Sequence, residues 1–337
     1  MSTSSASGEE FRTDLRKASA RVLPPELVSE LTRLHPWRGY VGVAQTLAIL
    51  IVTLSIAASV WTPWVVIAAV FIIATQQHAL FVLAHDAAHY RLAPQRTVND
   101  LLGRLVGAAA GISMCSYRVI HRLHHNHLYG KEDPDIALHG GYPRGKAYLL
   151  RKLTADRTGV TAYKTYKYFF GAPALDIRTN KALRPLDDTS PALREAARRD
   201  RRSVVAMQVA LLLAVLGAFG PEGLIKYVVL WLVPAVTVLQ AILRVRAIAE
   251  HGAPADYASP LTAARTNLGN ALTRFVLFPH HVNYHIEHHL YPAVPHYNLP
   301  HLHAALARHG LFEGAEVRSF RQTWRRVFAD PVARPAA

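Results

Sequence analysis

Eight histidines stand in three short clusters whose spacing points to metal chemistry. Asn283-Tyr284-His285-Ile286-Glu287-His288-His289 and His121-Arg122-Leu123-His124-His125 both place histidines at i, i+3 and i+4. On a helix those positions share one face, so three imidazoles can converge on one point. His85-Asp86-Ala87-Ala88-His89 adds an i, i+4 pair at the mouth of a long apolar run, and His251, in Ala249-Glu250-His251-Gly252, makes a ninth candidate. Neutral imidazole binds zinc, copper, iron and nickel, so the donor set alone does not choose the ion. The number narrows the choice: one transition metal rarely needs more than about four to six ligands, and nine suggest two metals. The single cysteine, Cys115, excludes an intrachain disulfide and any Cys-rich zinc or iron–sulfur site.

The elements that carry these clusters are strongly apolar. The 337 residues are 51% hydrophobic, a composition open to a soluble enzyme of one or two domains or to a membrane protein with large loops. The uneven spread of apolar residues favours the membrane. Spans are expected at about 41–60, 65–84, 203–220 and 224–243, each close to the roughly 20 residues that cross a bilayer core. Trp61-Thr62-Pro63-Trp64 and Pro221-Glu222-Gly223 are short enough to make each pair a tight hairpin, and the tryptophans suit the membrane interface.

The net charge of +15 suits nucleic acid, an anionic lipid surface or an acidic partner. No compact basic-aromatic or zinc-finger motif supports nucleic acid. The turns between paired spans hold at most Lys226, so the positive-inside rule places the N-terminal tail, segment 85–202 and the C-terminal segment in the cytoplasm, with all three clusters. No secretory signal is expected in the polar, basic first 38 residues. Within that tail Pro24-Pro25 followed by Glu26-Leu27-Val28 reads as a helix start. Residues 101–114, with Gly103, Gly107 and Gly111, read as a re-entrant or interfacial helix that packs closely. Pro173, Pro185, Pro191 and Arg198-Arg199-Asp200-Arg201-Arg202 suggest a surface linker ending in an interfacial helix. The domain limits that follow are a tail at 1–38, one membrane domain at 39–320 and a tail at 321–337.

With its three histidine boxes, Glu132-Asp133-Pro134-Asp135 after the second and Asn283-Tyr284 before the third, the chain resembles the integral-membrane fatty acid desaturases and hydroxylases over most of residues 40 to 303. The resemblance implies an all-α integral membrane fold, four transmembrane helices under a cytosolic helical cap, with a buried channel for an apolar chain. It also implies a di-iron centre held by His85, His89, His121, His124, His125, His251, His285, His288 and His289. Some members carry a water-linking asparagine four residues before the histidine matched by His251; here that position is Ala247. Zinc could replace iron in the same histidines.

Asp86, Asn126, Glu250, Asn283 and Glu287 are candidates to orient ligand imidazoles through the second ring nitrogen, with helix capping or solvation as the alternative. His78, inside a span on the face of His85, is a candidate for the substrate channel or for a packed, hydrogen-bonded role. His127, His280 and His281 adjoin the boxes and are expected behind the ligands or facing solvent. His296, His301, His303 and His309 lack box spacing and are expected at the surface.

The chemistry implied is oxidative. Dioxygen and two electrons remove hydrogen from an unactivated methylene; loss of a second hydrogen gives an alkene, and return of oxygen gives an alcohol. The sequence has neither a Gly-rich dinucleotide fingerprint nor a recognisable haem or iron–sulfur module. Electrons are therefore expected from a separate acidic carrier such as ferredoxin, with its reductase, docking on the basic face. A fatty acyl desaturase in a bacterial inner membrane is the leading expectation. Its rivals are a hydroxylase or ketolase of a carotenoid, sterol or alkane and, more remotely, a metal transporter or sensor, which would carry its ligands within the spans.

Overall fold

The computed structural model describes residues 23–130, 133–170, 174–176, 181–183, 190–257 and 259–330. The expected tail residues 1–22, Glu132 and the C-terminal residues 331–337 lie outside them. The chain opens with α1 (Pro25–Thr32), which starts on a proline as anticipated. The first hairpin is α2 (Arg38–Ser59) and α3 (Pro63–Ala88), followed by α4 (Arg96–Ala109) and α5 (Met114–Asn126). After α6 (Ile136–His139), α7 (Lys146–Arg157) and α8 (Ala162–Phe169) comes a small antiparallel pair, β1 (Ala174–Asp176) and β2 (Lys181–Leu183).

The second hairpin is α9 (Pro191–Phe219) followed by α10 (Glu222–Tyr227), a π turn at Val228–Leu232, α11 (Val233–Val236) and α12 (Val238–His251). Beyond it lie α13 (Pro260–Ala263), β3 (Thr266–Leu268), α14 (Ala271–Leu277), α15 (His285–Leu290), α16 (Leu299–Arg308), β4 (Val317–Ser319) and α17 (Phe320–Val327). β3 and β4 pair in parallel, Thr266 opposite Val317.

Among the described residues four helices are long and apolar enough to cross a membrane: Arg38–Ser59, Pro63–Ala88, Arg194–Phe219 and Glu222–His251. They match the four expected spans, and the two that carry histidines run further. α3 continues past residue 84 through His85, and the fourth span continues past 243 to His251. The fourth is also broken. Pro234 cannot donate to the helical ladder, and the chain absorbs the loss through the π turn and a non-helical Thr237 (φ −120°, ψ −85°). Ile51, Ile67, Phe71, Leu213 and Ile225 are exposed on the spans, the surface a bilayer would cover. Trp64, at the tip of the first hairpin, is 82% exposed.

Two local expectations need correction. The helix read at 101–114 begins earlier, at Arg96, and stops at Ala109, because Gly111 takes a left-handed φ of +81° that ends it and redirects the chain into α5. Its packing is as close as the glycines suggested: a Cβ on Gly103 would come within 2.6 Å of the Ala87 Cβ. Of the linker and helix end read before the second hairpin, Pro173 and Pro185 lie outside the described residues, and the arginine run at 198–202 is helical. It lies inside α9, which Pro191 opens at a position where its missing N–H costs nothing. Asp200 in that run is buried and takes hydrogen bonds from Cys115 N (2.8 Å) and Ser113 Oγ (2.9 Å). A carboxylate at the N-terminus of α5 complements the helix dipole, so α9 sets the helix that carries the second histidine box.

The packed body also extends past 39–320 at both ends. Leu23 and Leu31 are buried against Tyr291, Val294 and Leu302, while Val327 of α17 is buried with Leu149 and Ile248.

Candidate metal centre

Four helical elements deliver the histidines. α3 carries His85 in its last turn with His89 as its cap, α5 carries His121, His124 and His125, α12 ends at His251, and α15 carries His285, His288 and His289. The nine side chains form two groups. His85, His89, His121, His125 and His288 make the first, and His124, His251, His285 and His289 the second. Each i, i+4 pair stays together (85/89, 121/125, 285/289), whereas the i+3 histidine of each full box crosses to the other group.

The Nε2 atoms point inward. In the first group they stand 2.8 Å apart for His121 and His89, and 3.0 Å for His125 with both His121 and His288. In the second they stand 2.7 Å apart for His285 and His251 and 3.2 Å for His289 and His285. Ligands at roughly 2.0–2.1 Å from one ion lie about 3 Å from each other, so these spacings match the edges of a coordination shell. Among the described residues His85 Nδ1 and Nε2 are buried without a hydrogen-bond partner, an arrangement a bound metal would relieve. The residues present therefore fit two imidazole-bound ions.

Burial pushes His121, His125, His285, His288 and His289 well below the ordinary histidine range and His89 down to about 3. Neutral imidazoles keep the lone pair that a metal needs. His124 differs: burial works against its charge, but Asp133 and Asp135 raise it to about 9. Its Nδ1–H donates to Asp133 Oδ1 at 2.9 Å, which fixes the tautomer with Nε2 toward the second group. The Nδ1–H of His251 donates to the Ala263 carbonyl at 3.2 Å, fixing that ring in the same sense.

The expected orienting residues divide. Asp86 Oδ1 lies 3.8 Å from His85 Nδ1, and Glu250 Oε1 lies 3.8 Å from His285 Nδ1 while accepting from Arg246 Nε at 2.8 Å. Glu287 is buried but accepts from Thr266 and His303, so it docks α15 rather than holding a ligand ring. Asn283 is buried with its Oδ1 unpartnered. Asn126 is exposed on α5, on the side away from the buried rings. His78 is fully buried, its Nε2 3.4 Å from Nη1 of Arg246.

His127 caps α5 half-buried, and His301 and His309 are exposed as expected. His296 and His303 are not at the surface. His296 is buried, its Nδ1–H donating to Asp86 Oδ2 at 2.6 Å, and His303 is partly buried against Glu287. Both are drawn inward by carboxylates more than 15 positions away in the chain, a pairing that spacing within a box cannot reveal.

His139 escaped sequence reasoning altogether. It is buried, its ring centroid is 4.8 Å from that of His251, and its Nε2 lies 4.0 Å from Asp133 Oδ2. Arg265 was missed as well; its buried guanidinium donates to the carbonyls of Ala249, Gly252 and Ala253 and so clamps the chain around His251. Asp133 had only the acidic run after the second box to mark it.

Four apolar helices under two converged sets of buried histidines define a multi-pass membrane protein of the histidine-box oxidoreductase class. The comparison of sequences is more specific: the pattern of the family described as "Fatty acid desaturase" matches residues 59–321, and the chain belongs to that family. It is 29% identical over 283 residues to the dihydrorhizobitoxine desaturase of Bradyrhizobium elkanii, covering 80% of this chain and 76% of that one. It is 28% identical over 273 residues to the sn-1 oleoyl-lipid 12-desaturase of Synechocystis sp. (73% and 70%). It is 27% identical over 224 residues to the beta-carotene ketolase of Paracoccus sp. (66% and 72%).

Proposed function

We propose that the protein is a di-iron oxidoreductase that uses dioxygen and two electrons to place a double bond in a fatty acyl chain. The observation that carries this reading is the division of nine histidines, eight buried and His89 half-buried, into neighbouring groups of five and four. Iron held by these residues would supply the oxidising power for removing hydrogen from an unactivated methylene. The protein's own part is geometric. Asp133 and the Ala263 carbonyl hold the proton on Nδ1 of His124 and His251, and burial of the rings keeps water from the reacting carbon.

Segregation of the basic residues supports a cytoplasmic site in a bacterial inner membrane, with both termini on that side. The same basic surface suits an acidic electron carrier such as ferredoxin; turnover with purified carrier that ignores ionic strength would sink that assignment.

A lipid profile of cells expressing the chain with ferredoxin and its reductase, beside a His288→Ala control, tests the activity. A product two hydrogens lighter than its substrate and missing from the control is the expected result. The ketolase relative from Paracoccus favours one second reading, oxygenation of a carotenoid-like substrate, and a product gaining oxygen would move the assignment there.

A further inference from the structure

We propose that the cavity between α2 and the Pro279–His281 turn holds an acidic head group, so that the molecule oxidised is an amphiphile ending in a carboxylate or a phosphate. This deepens the reading above and rests on it. The cavity measures about 350 Å³. Along α2 it is lined by Arg38, Gly42, Thr46 and Ile49, one helical stripe about 16 Å long. Its character changes along that stripe. Arg38 stands at the end where α2 begins and Arg274 on the α14 side, whereas the far end is lined by Ile49, Ala79 and Phe278 with the uncharged amides of Gln45 and Gln76.

The two arginines are the cations of this lining. Burial holds His280 down to about 3 and His281 to about 4, so both imidazoles are neutral. The larger cavity, about 480 Å³ around Trp231 and Leu212, has no Lys or Arg in its lining. It can take an apolar chain but offers an anion no partner.

The wall of the smaller cavity is built at a cost. His280 (φ +51°) and His281 (φ +58°) are consecutive non-glycine residues in left-handed conformation, which persists where the surroundings enforce it. At His280, Thr46 is one such contact. Its hydroxyl donates to Gly42 O at 3.0 Å and so accepts from His280 Nε2–H, also at 3.0 Å. Gly42 makes room, since a Cβ there would already touch His296 Nε2 and Leu83 at 3.4 Å. His296 closes the inner wall and reaches the first histidine group through Asp86, the neighbour of His85. An anchored head would thus be linked to the oxidising site by two side chains.

Trp37 also lines the cavity and reports on it. Chain-brominated palmitate, phosphatidylglycerol and a fatty alcohol are each titrated into the purified full chain while tryptophan fluorescence is read. The acid or the phospholipid quenches saturably, Trp37→Phe removes that component, and Arg38→Gln or Arg274→Gln raises the apparent Kd roughly tenfold while leaving the alcohol unchanged. Whether palmitate or phosphatidylglycerol responds identifies the anion. Equal binding of acid and alcohol, or wild-type affinity in both arginine variants, overturns the proposal. Both arginines are exposed, so these variants keep the core. Binding is read without turnover: intact binding with no oxidised product would sink the activity, not the pocket.

Discussion

The Nε2 atoms of His125 and His288 stand 3.0 Å apart although 163 positions separate the residues. The crossing is reciprocal, His124 joining the second group as His288 joins the first, and the groups differ, five donors against four, because His85 and His89 serve one and His251 alone the other. His251→Ala leaves the second group three histidines, whereas His288→Ala leaves the first group four. Elemental analysis of iron-loaded protein should therefore find His251→Ala falling from about two metals per chain toward one, while His288→Ala keeps more metal yet forms no product. Equal metal loss in both variants would contradict the division into groups.

Asp86 offers a second test. One of its oxygens takes both the main-chain N–H (3.2 Å) and the Nδ1–H (2.6 Å) of His296, and the other faces His85. Asp86→Asn preserves shape but removes the charge and one acceptor. Loss of such an outer partner typically costs about 10–100-fold in metal affinity or activity. A fall of that size in iron affinity, measured by competition with a chelator, is expected; His301→Asn, on the exposed face, should leave it unchanged.

The boxes were readable because a ligand pair at i, i+4 is a local pattern, and the spans because twenty apolar residues are one too. What could not be read depends on which elements meet. His139 and His296 have no periodic neighbours, and their meaning comes from Asp133 and from Asp86, the latter 210 positions from His296. Asp200 looked like one charge in a basic run, and only its burial against Ser113 and Cys115 marks it as the cap of α5. The break at Thr237 follows from Pro234, whose effect on helix geometry is local, but where the chain absorbs it is decided by packing.

Two glycines should respond oppositely to the same change. A Cβ at Gly103 would lie 2.6 Å from the Ala87 Cβ, whereas one at Gly217 would meet nothing within 4 Å. Gly103→Ala forces α4 away from α3 beside the first box and should cost about 1–3 kcal/mol. Gly217→Ala, in the last turn of α9, should gain up to about 0.5–1 kcal/mol from helix propensity. Thermal unfolding in one detergent reads both, and a shift in the same direction would argue against this packing of α4 on α3.

Arg265 and Glu316 form a buried ion pair at 3.0 Å, with Arg318 and Arg326 closing on the same carboxylate. Burial raises the Glu316 pKa, but the hydrogen bond from Arg318 and the charge of Arg265 outweigh it, and the net shift is downward. A depressed carboxylate stabilises the fold above its unfolded pKa of about 4.3, and that contribution is lost as pH falls through the folded value. Glu316→Gln leaves the Arg265 guanidinium buried without its counter-charge, at a cost of about 3–5 kcal/mol near neutrality. Because Arg265 also holds the carbonyls around His251, the second histidine group should loosen with it. Thermal unfolding followed from pH 7 to below 4 should find the variant less stable than wild type at pH 7, with the gap narrowing in acid. A gap that stays constant across that range would show that Glu316 is not the group that titrates.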